Sequence, residues 1–454
     1  MKPTSSYALP GAGNTDLGVS APGAQEQLEL CERAVRKASI RLLPVLLLGY
    51  IFSYLDRINV GFAALTMNHA LGLTSAQFGW GAGLFFLSYA VCEVPSNLAL
   101  HRFGARIWLS RIMVSWGVLS AATAFAVGPH SFYGLRLILG VAEAGFFPGV
   151  AFYLTSWFPR AYRVRVLAWF TLGIPLASVI GGPLSGALLS IDTFMGLAGW
   201  QWLFIAQGLP AAVLGIWAWA VLSDSPKDAT WLSHAERAAL VRQLESEVTA
   251  GSTRSFRSAV ADPRVLLLTL ALFTLSTGIT GIGMWLPQII SREGLGLFRT
   301  GMLSTIPYAC AGLAMIVAAR WMDKGRDYAA SLTLSAAVAA AGFVVSAVSE
   351  SVGVALVGIT IAMIGVNIAR TALWAIPSTF LSGAAAAGCI AVINAVANCA
   401  GFAGPAMVGV VKEMTGSFTA GLIALAVALA VTAGLATVLG RVARKRAEAE
   451  SSAA

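Results

Sequence analysis

Charge is what this sequence lacks most. Lysine, arginine, aspartate and glutamate make up 11% of its 454 residues, against roughly 25% in a typical soluble domain. A soluble chain of this length needs two or three domains, and these charges are too few to coat them. Histidine is scarce as well: His69, His101, His130 and His234 are scattered over loop segments. The five cysteines (Cys31, Cys92, Cys310, Cys389 and Cys399) have neither metal-ligand nor redox spacing, and four of them sit in apolar runs as small hydrophobes. No glycine-rich loop ends in Lys-Ser or Lys-Thr, which excludes a phosphate-cradling ATP site of that kind. These absences argue against an enzyme, a metal site or a cofactor, and against a membrane-embedded sensor without transport. Residues 1–24 are polar, lack the short apolar core of a signal peptide, and read as a disordered tail.

What is present is apolar. Hydrophobic residues make up 57% of the chain. A bilayer core of about 30 Å is crossed by about 20 apolar residues in a helix. Such runs recur at 40–64, 78–100, 107–128, 131–155, 164–190 and 202–222, and again at 265–290, 300–319, 329–349, 352–380, 385–411 and 417–440. The gap between the two sets, 223–264, carries charges of both signs and reads as a helical linker. The organisation expected is a tail (1–39, with a short amphipathic surface helix at 25–38), a six-helix bundle (40–222), the linker (223–264), a second six-helix bundle (265–440) and a second tail (441–454).

The net charge of +9 is a topological signal and not a nucleic-acid footprint. With both termini cytoplasmic, 24 of the 30 lysines and arginines fall in cytoplasmic segments, three in outer loops (Arg292, Arg299, Lys412) and three within spans. That bias fixes the orientation. The halves also echo one another. His101-Arg102-Phe103-Gly104-Ala105-Arg106 follows the second span, and Asp323-Lys324-Gly325-Arg326 follows the eighth. Paired six-helix halves are the pattern of secondary carriers that bind substrate at the midplane.

Six ionisable residues fall inside the spans: Asp56, Arg57, Glu93, Arg136, Glu143 and Arg370. Each costs about 2.5–3.5 kcal/mol or more in hydrocarbon, so each is expected to face a cavity or a partner and to mark function. Asp56 and Arg57 are neighbours on one helix and point about 100° apart, so one can face a cavity while the other reaches a second helix. Arg136 and Glu143 are seven residues apart, on one face and roughly 10 Å from each other. They can line one channel, or merely clamp the first and fourth spans through Asp56 and Arg57. Glu93, in Cys92-Glu93-Val94-Pro95, is expected to brace the loop that follows it. Arg370 lies one turn before Trp374 and is either part of a second anion site or a helix brace. Tyr54, Tyr89, Trp374, Ser378, Asn394 and Asn398 are the polar and aromatic residues expected nearby.

Asp56-Arg57-x-Asn59 and Arg136-x-x-Leu139-Gly140-x-x-Glu143-Ala144-Gly145-x-Phe147-Pro148-Gly149 resemble the anion:cation symporter family of the major facilitator superfamily. So do Trp157-Phe158-Pro159-Arg160, Gly181-Gly182-Pro183-Leu184-Ser185-Gly186, Trp285-Leu286-Pro287-Gln288, Trp374-Ala375-Ile376-Pro377 and the stretch from Asn394 to Pro405. The match spans residues 40–440 and looks most like the tartrate-type bacterial branch. The resemblance implies an all-α fold of twelve transmembrane helices in two six-helix bundles. It implies proton-coupled uptake of an organic anion (a tartrate-like hydroxy dicarboxylate, a sugar acid or an aromatic acid) across the bacterial inner membrane. A major facilitator exporter of drugs or metabolites is the alternative.

By motif, Asp56 and Glu143 would couple protons. Arg57 and Arg136 would hold the substrate carboxylate, or hold those acids until substrate arrives. Tyr54, Tyr89, Trp374 and Asn398 match cavity positions, and Arg370 joins them as a candidate. Arg102, Gly104, Arg106, Asp323 and Lys324 belong to the gating loops. A monomer is expected, with lipid around it, an organic anion and protons as partners, and no nucleic acid. Two departures stand out. The superfamily loop motif begins with Gly and has Asp before its first Arg, where this sequence has Asn97 and His101. The fifth span lacks, near Gly173 and Ile174, the glutamine of some sugar-acid members.

Overall fold

A computed structural model describes residues 24–247, 262–322, 327–377 and 383–453. Fifteen α-helices build it. The first half holds α1 (Ala24–Ala70), α2 (Ser75–Phe103), α3 (Ala105–Ala122), α4 (Pro129–Glu143), α5 (Phe146–Trp157), α6 (Arg160–Thr171), α7 (Gly173–Leu189) and α8 (Gly199–Val221). The linker contributes α9 (His234–Ser246), and the second half holds α10 (Pro263–Ile290), α11 (Leu297–Met322), α12 (Tyr328–Val348), α13 (Val352–Ala375), α14 (Gly383–Thr415) and α15 (Phe418–Ala453). Twelve spans among the described residues are long and apolar enough to cross a membrane, with α4–α5 and α6–α7 each forming one. A two-residue hairpin, β1 (Thr193–Phe194) and β2 (Leu197–Ala198), closes the outer loop before α8.

Three sequence expectations change. First, 25–38 is not a separate surface helix. It is the cytoplasmic extension of α1, a continuous 47-residue helix of about 70 Å, more than twice a bilayer core. Its stripe of Cys31, Ala34, Val35, Ala38 and Leu42 is buried, and α1 packs against the linker helix α9. Lys37 Nζ donates to Glu236 of α9 at 2.8 Å, and Trp231 stacks on Trp157 with ring centroids 5.5 Å apart. Second, the span expected at 131–155 is broken. Gly145 takes φ +84°, a conformation that favours glycine, and a helix ends at Glu143 and restarts at Phe146. Ser96 Oγ seals the break by donating to the Ala144 carbonyl at 2.6 Å. Third, the tenth span, expected to reach 380, ends its helix α13 at Ala375, because Pro377 follows it; Ser378 lies outside the described residues.

Across the bundles, α2 runs along α14, α7 along α11, and α1 meets α10. The tightest approaches lie from the membrane middle outward. A β-carbon on Gly61 would sit 2.8 Å from the Met284 carbonyl, and one on Gly79 2.5 Å from the Pro405 carbonyl. Gly182 and Gly301 bring α7 and α11 into backbone contact. Trp285 Nε1 donates to the Pro405 carbonyl at 3.1 Å, and the Ala76 amide donates to Glu413 at 2.7 Å across the two bundles. The outer ends of the bundles are closed against each other.

Candidate functional site

The charges from the first bundle converge. Helix α1 turns Ser53 and Arg57, one turn apart, toward α4, where Glu143 is fully buried. Glu143 Oε1 accepts from Ser53 Oγ and from Arg57 Nε, both at 2.8 Å. Arg57 Nη2 lies 2.7 Å from the same oxygen, off the hydrogen-bond axis, and adds attraction without a further bond. Glu143 Oε2 is buried and has no partner among the described residues. Arg57 is held from its other side by the Tyr89 ring, 4.8 Å from its guanidinium carbon, a cation–π contact.

Asp56 points to α3 instead. Its Oδ1 accepts from Asn59 Nδ2 at 3.2 Å and from Ser120 Oγ, while Oδ2 is buried without a partner among the described residues. Both neighbours on α1 thus reach other helices, and neither is left facing outward.

Arg136, one α4 face below Glu143, is 0% exposed. None of its three guanidinium nitrogens has a hydrogen-bond partner among the described residues. It stacks on Phe85 with 4.8 Å from guanidinium carbon to ring centre and lies within electrostatic reach of Asp56, Glu143 and Arg57. The double clamp of the sequence reading is therefore half formed: Arg57 pairs with Glu143, and Arg136 does not pair with Asp56. The four charges sum to zero, but two carboxylate oxygens and one whole guanidinium stay unsatisfied. A buried charge without a partner costs several kcal/mol, and in a membrane such groups mark substrate or proton paths.

Gly140 lets this happen. It sits between Arg136 and Glu143 on α4, where any β-carbon would collide with the Phe85 carbonyl oxygen and Ser88 Oγ of α2. Without that close approach α4 could not bring its two charges to α1 and α2.

The second bundle contributes less directly. Arg370 and Trp374 are half-buried on α13, and Trp374 packs on the core. Tyr50 lies within electrostatic reach of both Arg57 and Arg370. Half-buried Tyr54 lies within electrostatic reach of Tyr50 and of Tyr308 on α11. Asn394 and Asn398 do not turn toward the four-charge cluster. They donate to the Glu93 carboxylate at 3.2 and 2.7 Å. Glu93 therefore does not brace the loop after α2; its side chain crosses to the other bundle.

At the end of α2, Arg102 is exposed and lies 5.7 Å over Phe103. Gly104, with φ +85°, caps α2 and runs beneath Asp224. Arg106 donates its amide to Asp224 Oδ1 at 2.9 Å and its Nε to the Trp219 carbonyl at 2.7 Å. An acid does serve this loop, then, but it comes from the end of the sixth span. Asp323 and Lys324 lie outside the described residues. Ser53, Ser120, Tyr308 and Asp224 escape the sequence reading. Ser53 carries a signal, its one-turn spacing before Arg57; a lone serine such as Ser120 in an apolar run carries none.

Two bundles of six spans, with buried charges gathered inside the first, are the architecture of a secondary membrane transporter. The sequence profile of the Major Facilitator Superfamily matches residues 46–405, and the chain belongs to that family. It is 44% identical, over 92% of its length and 94% of theirs, to an Agrobacterium vitis protein whose name assigns it provisionally to tartrate transport. It is 40% identical, over 87% of this chain and 92% of that one, to a quinolone resistance transporter of Acinetobacter baumannii. Among solved structures, a D-xylose-proton symporter superposes with a TM-score of 0.73 at 15% identity, covering 88% of this chain and 96% of its own, a likeness of fold.

Proposed function

We propose that the chain imports a small organic anion together with protons across the bacterial inner membrane as a monomer, the anion being a tartrate-like hydroxy dicarboxylate, a sugar acid or an aromatic acid. The observation that carries this reading is Arg136, a fully buried guanidinium with all three nitrogens unpartnered among the described residues. A substrate carboxylate is the group that satisfies it, because the planar fork matches a carboxylate in bidentate geometry. The provisional assignment of the Agrobacterium vitis relative to tartrate transport agrees with it.

The mechanism follows from competition for two arginines. In this arrangement Arg57 neutralises Glu143. A substrate carboxylate drawn to Arg136 and Arg57 weakens that pair, and the released Glu143 takes up a proton, as does Asp56. Each ligand thus makes different contacts in the two states, which is what coupling requires. Importing a dianion against 100 mV, inside negative, is opposed by about 4.6 kcal/mol, and two protons remove that opposition. Arg370 and Trp374 on α13 would contact the substrate from the opposite wall as the bundles rock, and Tyr54 of α1 and Tyr89 of α2 from the wall that holds the two arginines.

A second reading, export of a drug or metabolite, is favoured by the resistance transporter among the relatives. Competition separates the two. With purified protein, L-tartrate, galactarate, galactonate, phthalate or hydroxyphenylacetate should compete for one site that Arg136→Ala abolishes. Undiminished binding by that variant, or preference for cationic or neutral compounds, would establish the second reading.

A further inference from the structure

Glu93 is the intramembrane acid that the four-charge cluster leaves unused. It sits on α2 one turn beyond Tyr89, half-buried, and both of its carboxylate oxygens leave their own bundle. Oε1 accepts from Asn394 and Oε2 from Asn398, one turn apart on α14. The groups that face it are few. Arg57 of α1 lies within electrostatic reach, as does Tyr89 of its own helix, which also feels Glu143 of α4; among the described residues, α14 presents the two amides. No lysine or arginine pairs with Glu93 at salt-bridge distance among the described residues. A tie between two helices needs no charge, since a glutamine joins helices as well. Two neutral donors favour the ionised form of a carboxylate, and losing them where water does not take their place favours the protonated form.

We propose that Glu93 is a third proton-carrying acid of the transport cycle, ionised while α2 and α14 are joined and protonated when they part. The proposal rests on the proton-coupled reading above and extends it. In the joined arrangement the carboxylate carries no proton and accepts an N–H bond at each oxygen. Parting of α2 and α14 breaks both N–H···O bonds. One oxygen then forms an O–H bond with a proton drawn from the water-facing side. On return that O–H bond breaks, the proton leaves to water on the opposite side, and the two amide bonds re-form. Neither asparagine changes its protonation.

The consequence is electrical. Asp56 and Glu143 together neutralise a dianion; a third proton makes each cycle carry one net positive charge inward. Accumulation then follows the membrane potential by about fifty-fold per 100 mV. The test uses proteoliposomes with L-tartrate and a potassium diffusion potential. In the wild type the proposal predicts three protons taken up per tartrate and the fifty-fold response. Glu93→Gln, which keeps one amide partner, should accumulate tartrate on a pH gradient but ignore the potential, with two protons per tartrate; Glu93→Asp should restore the response. Two protons per tartrate in the wild type, or an unchanged response to potential in Glu93→Gln, overturns the proposal while leaving proton coupling intact. No proton movement with tartrate in the wild type overturns the parent reading with it, a distinguishable result.

Discussion

Arg136 and Glu143 share a helix face but have opposite circumstances. Glu143 is neutralised by Arg57 and hydrogen-bonded by Ser53, whereas Arg136 rests on an aromatic face with no acceptor among the described residues. Removing each should therefore do different things. Glu143→Gln removes the titrating group but keeps a hydrogen-bond acceptor for Arg57. It should lose accumulation up a pH gradient and keep tartrate exchange, measured by counterflow; accumulation at the wild-type level would take the coupling role from Glu143. Arg136→Met should lose tartrate binding by two orders of magnitude or more. It should melt no lower than the wild type, because it takes an unpaired charge out of the interior, an effect of roughly 1–3 kcal/mol. A lower melting temperature would mean that Arg136 is a brace and not an anchor. The sequence marked Asp56, Arg57, Arg136 and Glu143 because charge in an apolar run is conspicuous. It could not show that Arg57 and not Arg136 is the paired arginine, since that depends on the rotation of α1 against α4. Glu93 was misjudged for the same reason: its partners lie some 300 residues away.

Helix α4 illustrates what periodicity reveals and what it hides. An apolar run from 131 to 155 reads as one span, and as a membrane crossing it is one. The break after Glu143 is a local backbone event written in Ala144-Gly145 and closed by Ser96 from α2, so hydropathy passes over it. Gly140→Val should push α4 off α2, abolish transport and destabilise the protein by about 1–3 kcal/mol in thermal melting; wild-type uptake by this variant would rule out the close approach. The cytoplasmic end of α1 is a second case. A polar–apolar stripe at 25–38 looks like a surface helix until the linker that covers it is known. Burial raises the Glu236 carboxyl, but the Lys37 ammonium and the Ser233 backbone and hydroxyl outweigh it and hold Glu236 below its ordinary value. A carboxylate so lowered adds stability above its unfolded pKa and loses it as pH falls through the folded one. Half-exposed Lys37 limits this to about 1 kcal/mol or less. Glu236→Gln should therefore melt lower than the wild type at neutral pH, with the gap closing below the carboxylate range. A gap independent of pH would remove the ion pair from the docking of α9.

At the scale of the whole molecule, span count, two-bundle division and orientation are legible because lipid imposes them: length, apolarity and the Lys/Arg bias are one-dimensional properties. How the bundles meet is not, since it depends on small residues such as Gly61, Gly79, Gly182 and Gly301, whose partners lie in the other half. The central claim is that buried carboxylates carry protons with an organic anion held by Arg136. It is tested most directly by L-tartrate uptake into proteoliposomes of the purified protein, with the outside acid and the membrane potential clamped at zero. The account predicts accumulation above the external concentration that collapses when a protonophore removes the pH gradient. Uptake that only equilibrates, or that is indifferent to the protonophore, would contradict it.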